Sequence, residues 1–480
     1  MDPRGDESVS VRAGARHVVC PARRGLASLF VLATLIASVP TARPPEHAAP
    51  FAPQTLEETG LTSMFIAELA IKLLYQKGQS SGADLANALC LPMKLLEPVL
   101  DALKAEHLVE VKGGSGVSAA TYIHALSGGI GTGRAREALD RNGYVGPAPV
   151  TLSQYVKRVR AQSIGDVHIT GEDLKAALSH LVLPDRTLRQ LGPAINSGRS
   201  IFLFGPPGTG KSSIAETLAS LLKGGMVVPH AIQVGPQIVR VYDPSRHHPL
   251  IDLDARFDRR WIPVTRPFVK VGGELTLEDL DLAFDASSGT HEAPFQMKAN
   301  GGVLLIDDFG RQRASPEQLL NRWIVPLDRD VDFLTTIDGR KIEVPFDTLL
   351  VFATNRTPSS LVDEAFLRRI QYKIEIRPPT EQEFAEILRR ICESRKITYY
   401  PQAAQWIIRY CKERGIALRS CHPRDLMTHL AAAARFLEKP IEITPELVAL
   451  ACETYFVALD PPPAKPASRT AKPSQVPPAA

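Results

Sequence analysis

Residues 202–213 join an apolar strand to a glycine-rich turn and then to a helical pattern. Glycines let the main-chain N–H groups of such a turn close around phosphate oxygens, and the following helix adds the positive end of its dipole. In this pattern Lys211 reaches the β- and γ-phosphates of ATP, and the Ser212 hydroxyl holds Mg²⁺. Because the strand and the helix flank the turn as the motif requires, the sequence predicts a nucleotide-binding loop. Its residues are Gly205, Pro206, Pro207, Gly208, Thr209, Gly210, Lys211, Ser212 and Ser213.

A second motif lies about a hundred residues further on, where the apolar run 303–306 ends in two carboxylates, Asp307 and Asp308. A buried strand that ends in this way typically delivers an acid to magnesium beside the phosphates. We expect Asp307 to hold the metal, directly or through water, and Asp308 to polarise the attacking water.

Length and composition bound the remaining possibilities. A chain of 480 residues predicts two or three domains, and its net charge of +4 disfavours a dedicated nucleic-acid binder. The six cysteines form no Cys-x-x-Cys pair and no zinc spacing with histidine, which indicates reduced thiols in the cytosol.

The first fifty residues are similar to a signal peptide. Arg23 and Arg24 precede an apolar run at residues 26–39, and small residues follow it. The run is short for a bilayer, which takes about 20 apolar residues. It is compatible with an upstream-extended start, a weak membrane anchor or an export signal. Because an ATP-dependent protein needs ATP, we expect an extended start, a cytoplasmic location and no membrane span.

Residues 55–126 predict a small separate domain of three helices and two β runs, which looks like a winged helix-turn-helix. Such a module either reads DNA or docks a protein. Its third helix carries Lys94 and Lys104 against three carboxylates. A helix that faces phosphates should not be acidic on balance, so protein docking is favoured and nucleic acid remains the alternative.

The rest of the chain predicts an α/β class: a P-loop parallel sheet with helices on both faces, followed by a C-terminal α-helical lid. Apolar or β-rich runs recur at residues 202–204, 238–242, 304–309, 348–353 and 371–376. The predicted divisions are a leader at 1–54, the winged-helix-like domain at 55–126, a linker at 127–170, the ATPase core at 171–378, the lid at 379–458 and a disordered Pro/Ala-rich tail at 459–480.

Taken in order, these elements resemble the AAA+ ATPases across residues 170–458. Asn355, at the end of an apolar strand, looks like the sensor-one residue that orients the lytic water. Arg368 and Arg369, in Phe-Leu-Arg-Arg-Ile, look like the arginine-finger segment that reaches the γ-phosphate of a neighbouring subunit. Arg424, in His-Pro-Arg-Asp, looks like sensor two on the phosphates.

Two β runs flank Asp338 and Gly339, which is a two-residue hairpin signal just before sensor one. A hairpin at this place is similar to the MoxR-like and MCM-like branch, whose hairpins often face a central pore or substrate. One departure concerns Asp308, where many relatives carry glutamate. The shorter side chain draws the carboxylate back from the water, so hydrolysis is expected to be slow.

The resemblance implies a ring-like oligomer, a hexamer in such relatives, that uses ATP and Mg²⁺ to remodel a protein client. Two alternatives stay open: a DNA-associated ATPase or regulator that uses the winged-helix module, and a slow-hydrolysing ATP switch. No motif identifies the client or the pathway.

Overall fold

The computed structural model describes residues 50–114, 118–250, 256–361 and 364–456. The predicted leader, apart from its last five residues, and the predicted tail lie outside this part of the chain. Among the described residues, no helix combines the length and the apolar character needed to cross a membrane.

The N-terminal elements form a compact group around a three-stranded antiparallel sheet of order β1-β3-β2. They are α1 (Leu56–Thr59), α2 (Ser63–Lys77), β1 (Gln79–Ser81), α3 (Gly82–Leu89), α4 (Met93–Ala105), β2 (Val109–Gly113) and β3 (Ile123–Leu126). The Thr62 and Ser81 side chains accept from main-chain N–H groups at the starts of α2 and α3, which satisfies donors that a helix leaves unpaired. The three predicted helices and both predicted β runs are present, and β1 is an additional strand.

Residues 127–170 differ from the linker expected there. They contain α5 (Ile130–Arg141), β4 (Val150–Thr151) and α6 (Leu152–Ala161). Ala135 and Ala138 of α5 are fully buried in the N-terminal core. A Cβ at Gly131 would lie 2.2 Å from the carbonyl oxygen of Leu108, so this glycine permits close packing. The glycines that predicted a linker therefore lie beside and within a packed helix.

The central part contains most of the strands. In order it holds α7 (Gly171–Ala177), α8 (Asp185–Asn196), β5 (Ile201–Phe204), α9 (Lys211–Leu221), β6 (Gly225–Pro229), β7 (Ala231–Val234), β8 (Gln237–Arg240), β9 (Trp261–Thr265), β10 (Phe268–Val271), β11 (Ala283–Asp285), β12 (Thr290–Glu292), α10 (Phe295–Lys298), β13 (Val303–Ile306), α11 (Pro316–Arg329), β14 (Val331–Thr335), β15 (Lys341–Pro345), β16 (Leu349–Thr354), α12 (Glu364–Leu367) and β17 (Tyr372–Glu375).

Five of these strands form a parallel sheet of order β10-β13-β16-β5-β17. Apolar side chains on its two faces belong to two separate cores, as expected for a sheet covered by helices on both faces. The predicted α/β class with a parallel sheet is confirmed. Because all five strands run the same way, the segments that follow β5, β13 and β16 meet at one edge.

The predicted strand at residues 238–242 is present as β8, but it does not belong to the parallel sheet. It lies in a second sheet of order β11-β12-β8-β7-β4, where it pairs antiparallel with β7. Only Gly235 and Pro236 separate β7 from β8, and so tight a turn permits only antiparallel pairing. The strand beside β13 is β10 instead.

The predicted hairpin before sensor one is formed by β14 and β15, paired antiparallel. Its connection is five residues, 336–340, and not the two predicted. Within the turn Gly339 N–H donates to the Thr336 carbonyl at 2.8 Å, and Thr336 N–H donates to the Arg340 carbonyl at 3.0 Å. Leu334, Ile342 and Val344 are buried and attach the hairpin to the second sheet.

Four helices follow the sheet: α13 (Glu381–Ser394), α14 (Pro401–Glu413), α15 (His422–Phe436) and α16 (Pro445–Tyr455). Thr380 and Glu383 form the capping box predicted at the start of α13. The four helices share one core, in which Phe384, Leu388 and Met427 are almost fully buried. The predicted C-terminal helical region is confirmed.

Candidate nucleotide-binding site

A pocket of about 400 Å³ lies at the edge of the parallel sheet where the strands end. Residues 207–214 line it, together with Asp307 and Asp308 after β13 and Asn355 after β16. Arg424 and other residues of the four C-terminal helices, called the lid below, also line it. The fold thus gathers most of the predicted site residues around one cavity.

The loop itself depends on glycine at two positions. Gly205 has a φ of 142°, and a Cβ there would lie 2.2 Å from the carbonyl oxygen of Ile376. Gly208 has a φ of 74°, and its Cβ would lie 2.5 Å from the Cys421 sulfur. A side chain would therefore clash with the sheet at the first position and with the lid at the second.

Lys211 is the first residue of α9 and is buried. Its Nζ donates to the carbonyl oxygens of Gly205 and Pro206, at 2.9 and 2.8 Å. Burial lowers the pKa of the ammonium group to about 8, although the nearby carboxylates of Asp308 and Asp307 oppose this shift. The cation lies where the phosphate-binding motif places it, inside the loop.

Ser212 and Asp307 lie together, and the Ser212 hydroxyl donates to Asp307 Oδ1 at 2.9 Å. Hydroxyl and carboxylate oxygens are ligands that Mg²⁺ accepts, and the ion usually completes its shell with substrate phosphates and waters. The two residues therefore fit a magnesium ion bound together with a nucleotide. Lys270 of β10, which was not predicted, forms ion pairs with Asp307 Oδ2 at 3.0 Å and with Glu216 at 3.1 Å.

Asp308 and Asn355 come into direct contact across adjacent strands. Asn355 Nδ2 donates to Asp308 Oδ1 at 3.0 Å. Asp308 has a φ of 49°, in the left-handed region that non-glycine residues seldom adopt. Main-chain hydrogen bonds hold this turn, because Phe309 N–H donates to the Ala353 carbonyl at 2.7 Å. The unusual backbone conformation directs this carboxylate to the pocket that Lys211 also lines.

The lid contributes Arg424, which lies in the first turn of α15 and lines the pocket. Its Nε donates to Asp425 Oδ1 at 3.0 Å, and its side chain is 64% exposed. At the start of the same helix, Cys421 N–H donates to the Gly208 carbonyl at 3.0 Å. The lid and the phosphate loop are therefore hydrogen-bonded to each other.

Arg368 and Arg369 do not line the pocket of their own chain. Arg368 is exposed, and within the described part of the chain its guanidinium has no hydrogen bond or ion pair. Arg369 forms an ion pair with Asp328 at 3.0 Å. The contacts in the structure thus distinguish Arg368 from Arg369, which the sequence could not do.

Several lining residues were not predicted from the sequence. They are Arg390, Ile387 and Ile391 of α13, Ile214, Ser420, Cys421, and the segment 180–183 before α8. Residues 181–183 are apolar and Pro184 follows them, but nothing in this segment indicates a site, because the pocket forms only where the lid approaches it.

A glycine-rich loop between a buried strand and a helix, with an acid pair at the end of the next strand but one in the same sheet, defines a P-loop nucleotide-binding protein. Residues 201–378 match the family model described as the ATPase family associated with various cellular activities, AAA. This part of the chain is therefore an AAA ATPase family domain, with the P-loop AAA+ fold. Residues 380–454, which form the lid, match a domain of unknown function, DUF8689.

The solved structures that match this chain are only distantly similar to it. NtrX from Brucella abortus in complex with ADP is 15% identical, with a TM-score of 0.29, and the match covers 48% of this chain and 47% of that one. The Thermotoga maritima RuvB Holliday junction branch migration motor is 19% identical, with a TM-score of 0.32, and covers 62% and 72%. This chain thus spans about half of the NtrX chain. No curated protein sequence matches the chain.

Proposed function

We propose that this protein binds ATP with Mg²⁺ and hydrolyses it in a ring-like oligomer to remodel a protein client. One observation carries the proposal: Lys211, Ser212, Asp307, Asp308 and Asn355 meet in one pocket of about 400 Å³. An AAA domain implies an ATPase, and these residues supply the groups that phosphoryl transfer to water needs.

In the proposed reaction, Lys211 and the loop N–H groups hold the β- and γ-phosphates, and Arg424 contacts them from the lid. Ser212 and Asp307 would hold Mg²⁺, which would supply positive charge against the negative charge that develops on the phosphates. Asp308 orients a water molecule and accepts one of its protons. The water oxygen forms a bond to the γ-phosphorus as the bond to the bridging oxygen breaks, which yields ADP and phosphate. Asn355 donates to Asp308 and so orients its carboxylate.

We assign the arginine finger to Arg368, acting on the pocket of a neighbouring subunit. AAA+ proteins typically assemble, and an arginine supplied by a neighbour makes hydrolysis depend on that assembly. Arg368 is exposed and unengaged within the described residues, whereas Asp328 holds Arg369 at 3.0 Å. A hexamer is the proposed assembly.

We place the protein in the MoxR-like branch because a hairpin lies between α11 and β16, the strand that leads to Asn355. Phe333 and Ile337 of this hairpin are 45% and 59% exposed. Phe333 lies on β14 and Ile337 on the turn, and exposed apolar side chains on such a hairpin suit contact with an unfolded or partly unfolded protein segment. Client remodelling of the MoxR-like chaperone type follows from that surface.

The N-terminal group at residues 55–126 is proposed to be a winged-helix-like module for protein docking. Helices α2, α3 and α4 and the β1-β3-β2 sheet support that assignment. On α4, which is the third helix that the sequence predicted, Lys104 forms an ion pair with Asp101 at 2.7 Å, and Lys94 donates to Gln54. Both lysines are therefore engaged within the chain, which disfavours a phosphate-binding role. We propose the core at 171–378 and the lid at 379–458 as the other domains.

One observation favours a second function, a slow-hydrolysing ATP switch. The second acid of the pair is Asp308, whose side chain is one methylene shorter than glutamate and is hydrogen-bonded to Asn355. A carboxylate held back from the water would leave ATP bound but intact for long periods.

The test measures ATP hydrolysis by the full chain over a range of protein concentrations, together with binding of a fluorescent ATP analogue. Lys211→Ala is compared with Lys223→Ala, which removes an exposed lysine just after α9 that pairs with Asp173. We expect specific activity to rise with concentration and to be lost only in Lys211→Ala. Tight binding without turnover at any concentration supports the switch, and stimulation by DNA supports a DNA-associated ATPase. A wild type that binds no ATP overturns the proposal.

A further inference from the structure

Arg389 and Arg390 are consecutive residues of lid helix α13. Both donate to the carboxylate of Glu386, but their remaining contacts differ. Glu386 accepts from Arg389 Nε and Nη2 at 2.8 and 2.7 Å, and from Arg390 Nε at 2.7 Å. Arg389 then turns to Glu393 on its own helix. Arg390 alone leaves the lid and contacts the core.

The Arg390 contacts lie at main-chain carbonyls of the loop before α8. Its Nη1 donates to the Ser179 carbonyl, and to the Leu181 carbonyl at 3.3 Å. Within the described residues, neither carbonyl accepts another hydrogen bond. Arg390 is thus the group that ties this loop to the lid, while Glu386 aims its guanidinium.

The tethered loop lines the nucleotide pocket. Leu181, Val182 and Leu183 line it together with Ile387 and Ile391 of α13, and this apolar part of the pocket, its base end, is suited to a flat base. Among the described residues, the N–H and C=O groups of Val182 make no main-chain hydrogen bond. The N–H and C=O groups of Val182 can therefore form hydrogen bonds with the edge of a purine base, provided that the conformation of the loop is fixed.

We propose that Arg390 is the positioning residue for the base end of the nucleotide site, and that it makes base selectivity depend on the lid. The inference rests on the proposed ATP binding and adds to it a residue that touches neither phosphate nor metal in that scheme. Arg390 fixes the Ser179 and Leu181 carbonyls from the lid, so the base slot between loop and lid forms only when the lid lies on the core. The lid is held at a second point by the Cys421 N–H bond to Gly208, so the base and phosphate ends close together.

The test compares Arg390→Ala with Arg389→Ala in the full chain, with Arg390→Lys as the conservative variant. Binding of fluorescent ATP and GTP analogues is measured, as is the thermal unfolding midpoint without nucleotide. Both alanine variants remove an arginine that pairs with Glu386, so both should lower the midpoint. Arg390→Ala should lower it further, because the hydrogen bonds to the Ser179 and Leu181 carbonyls are lost as well. Arg390→Ala should weaken ATP binding about tenfold, because charge-assisted hydrogen bonds to two carbonyls are lost. Arg389→Ala should stay within about twofold of wild type.

The selectivity ratio separates positioning from a general structural role. We expect wild type to prefer ATP, Arg390→Ala to bring the ATP and GTP affinities closer together, and Arg390→Lys to restore part of the preference. Unchanged affinity and preference in Arg390→Ala overturn the inference, as does an equal loss of both nucleotides with the preference intact. A wild type that binds ATP and GTP equally also overturns it, while leaving the proposed ATP binding standing. A wild type that binds neither nucleotide overturns both.

Discussion

Arg368 is proposed to act on a neighbouring subunit and Arg369 to pair with Asp328 in its own chain, and this difference gives a direct test of assembly. Arg368→Ala should reduce turnover about 10³-fold or more, because an arginine finger is worth roughly 10³–10⁵ in rate, or about 4–7 kcal/mol in the barrier. Arg369→Ala should change stability by about 1 kcal/mol or less, because its ion pair with Asp328 is partly exposed, at 22% and 44%. A large loss of turnover and a small loss of stability are easily distinguished, so one alanine substitution at each position shows which arginine is the finger.

The measurement uses ATP turnover at a protein concentration above that of assembly, with binding of a fluorescent ATP analogue alongside. Arg368→Ala should keep its binding affinity, since the residue does not line the pocket of its own chain. Mixing Arg368→Ala with Lys211→Ala tests the action between subunits directly. In a randomly mixed ring, half of the pockets keep Lys211 and half of their neighbours keep Arg368, so about a quarter of wild-type turnover should return.

The reasoning is refuted if Arg368→Ala keeps turnover within about tenfold of wild type while Arg369→Ala loses it. In that case the ion pair between Arg369 and Asp328 breaks when the subunits assemble. Breaking this pair would cost about 1 kcal/mol or less, whereas an arginine finger lowers the reaction barrier by several kcal/mol. If the activity of the mixture equals the sum of the activities of the two variants, action of Arg368 between subunits is refuted.

Two further predictions concern the pocket itself. Asp308→Glu should raise turnover and Asp308→Asn should trap bound ATP, because the longer carboxylate reaches the water and the amide cannot accept its proton; equal turnover in all three proteins would exclude Asp308 as the catalytic carboxylate. ATP affinity should fall above pH 8, approaching tenfold per pH unit, because burial lowers the pKa of Lys211 to about 8 and the phosphates bind the protonated form. Dissociation constants measured between pH 7 and 9.5 test this, and Lys211→Arg, whose side chain stays charged, should show no such decline; a flat wild-type profile would contradict it.

The phosphate loop, the acid pair and the capping box of Thr380 and Glu383 are all recognisable in the sequence. Each is a short run whose residues act on their immediate neighbours: glycines set the turn from Gly205, and Thr380 satisfies donors three residues away. Local steric and hydrogen-bonding requirements of this kind are written directly in the order of residues.

Features that depend on contact between distant segments were missed or wrongly predicted. The glycines near residue 131 predicted a linker, but Gly131 lies against Leu108 inside a packed module. The run at residues 238–242 was assigned to the parallel sheet, although its tight turn with β7 directs it to another. Periodicity identifies a strand but not the sheet that receives it, because pairing partners lie far apart in the chain.

The sequence by itself determined the chemistry of this protein: a loop for phosphates, a hydroxyl and a carboxylate for magnesium, and Asp308 and Asn355 for the attacking water. The contact between Asp308 and Asn355 came from the sheet order, which places β13 beside β16. Only the tertiary structure decided which groups complete the pocket. Arg390 lies more than two hundred residues from the carbonyls it holds, and Arg368 and Arg369 differ only in what surrounds them. Motif chemistry depends on residues close in sequence, whereas the closure of a pocket depends on how whole elements pack, and no local pattern records that packing.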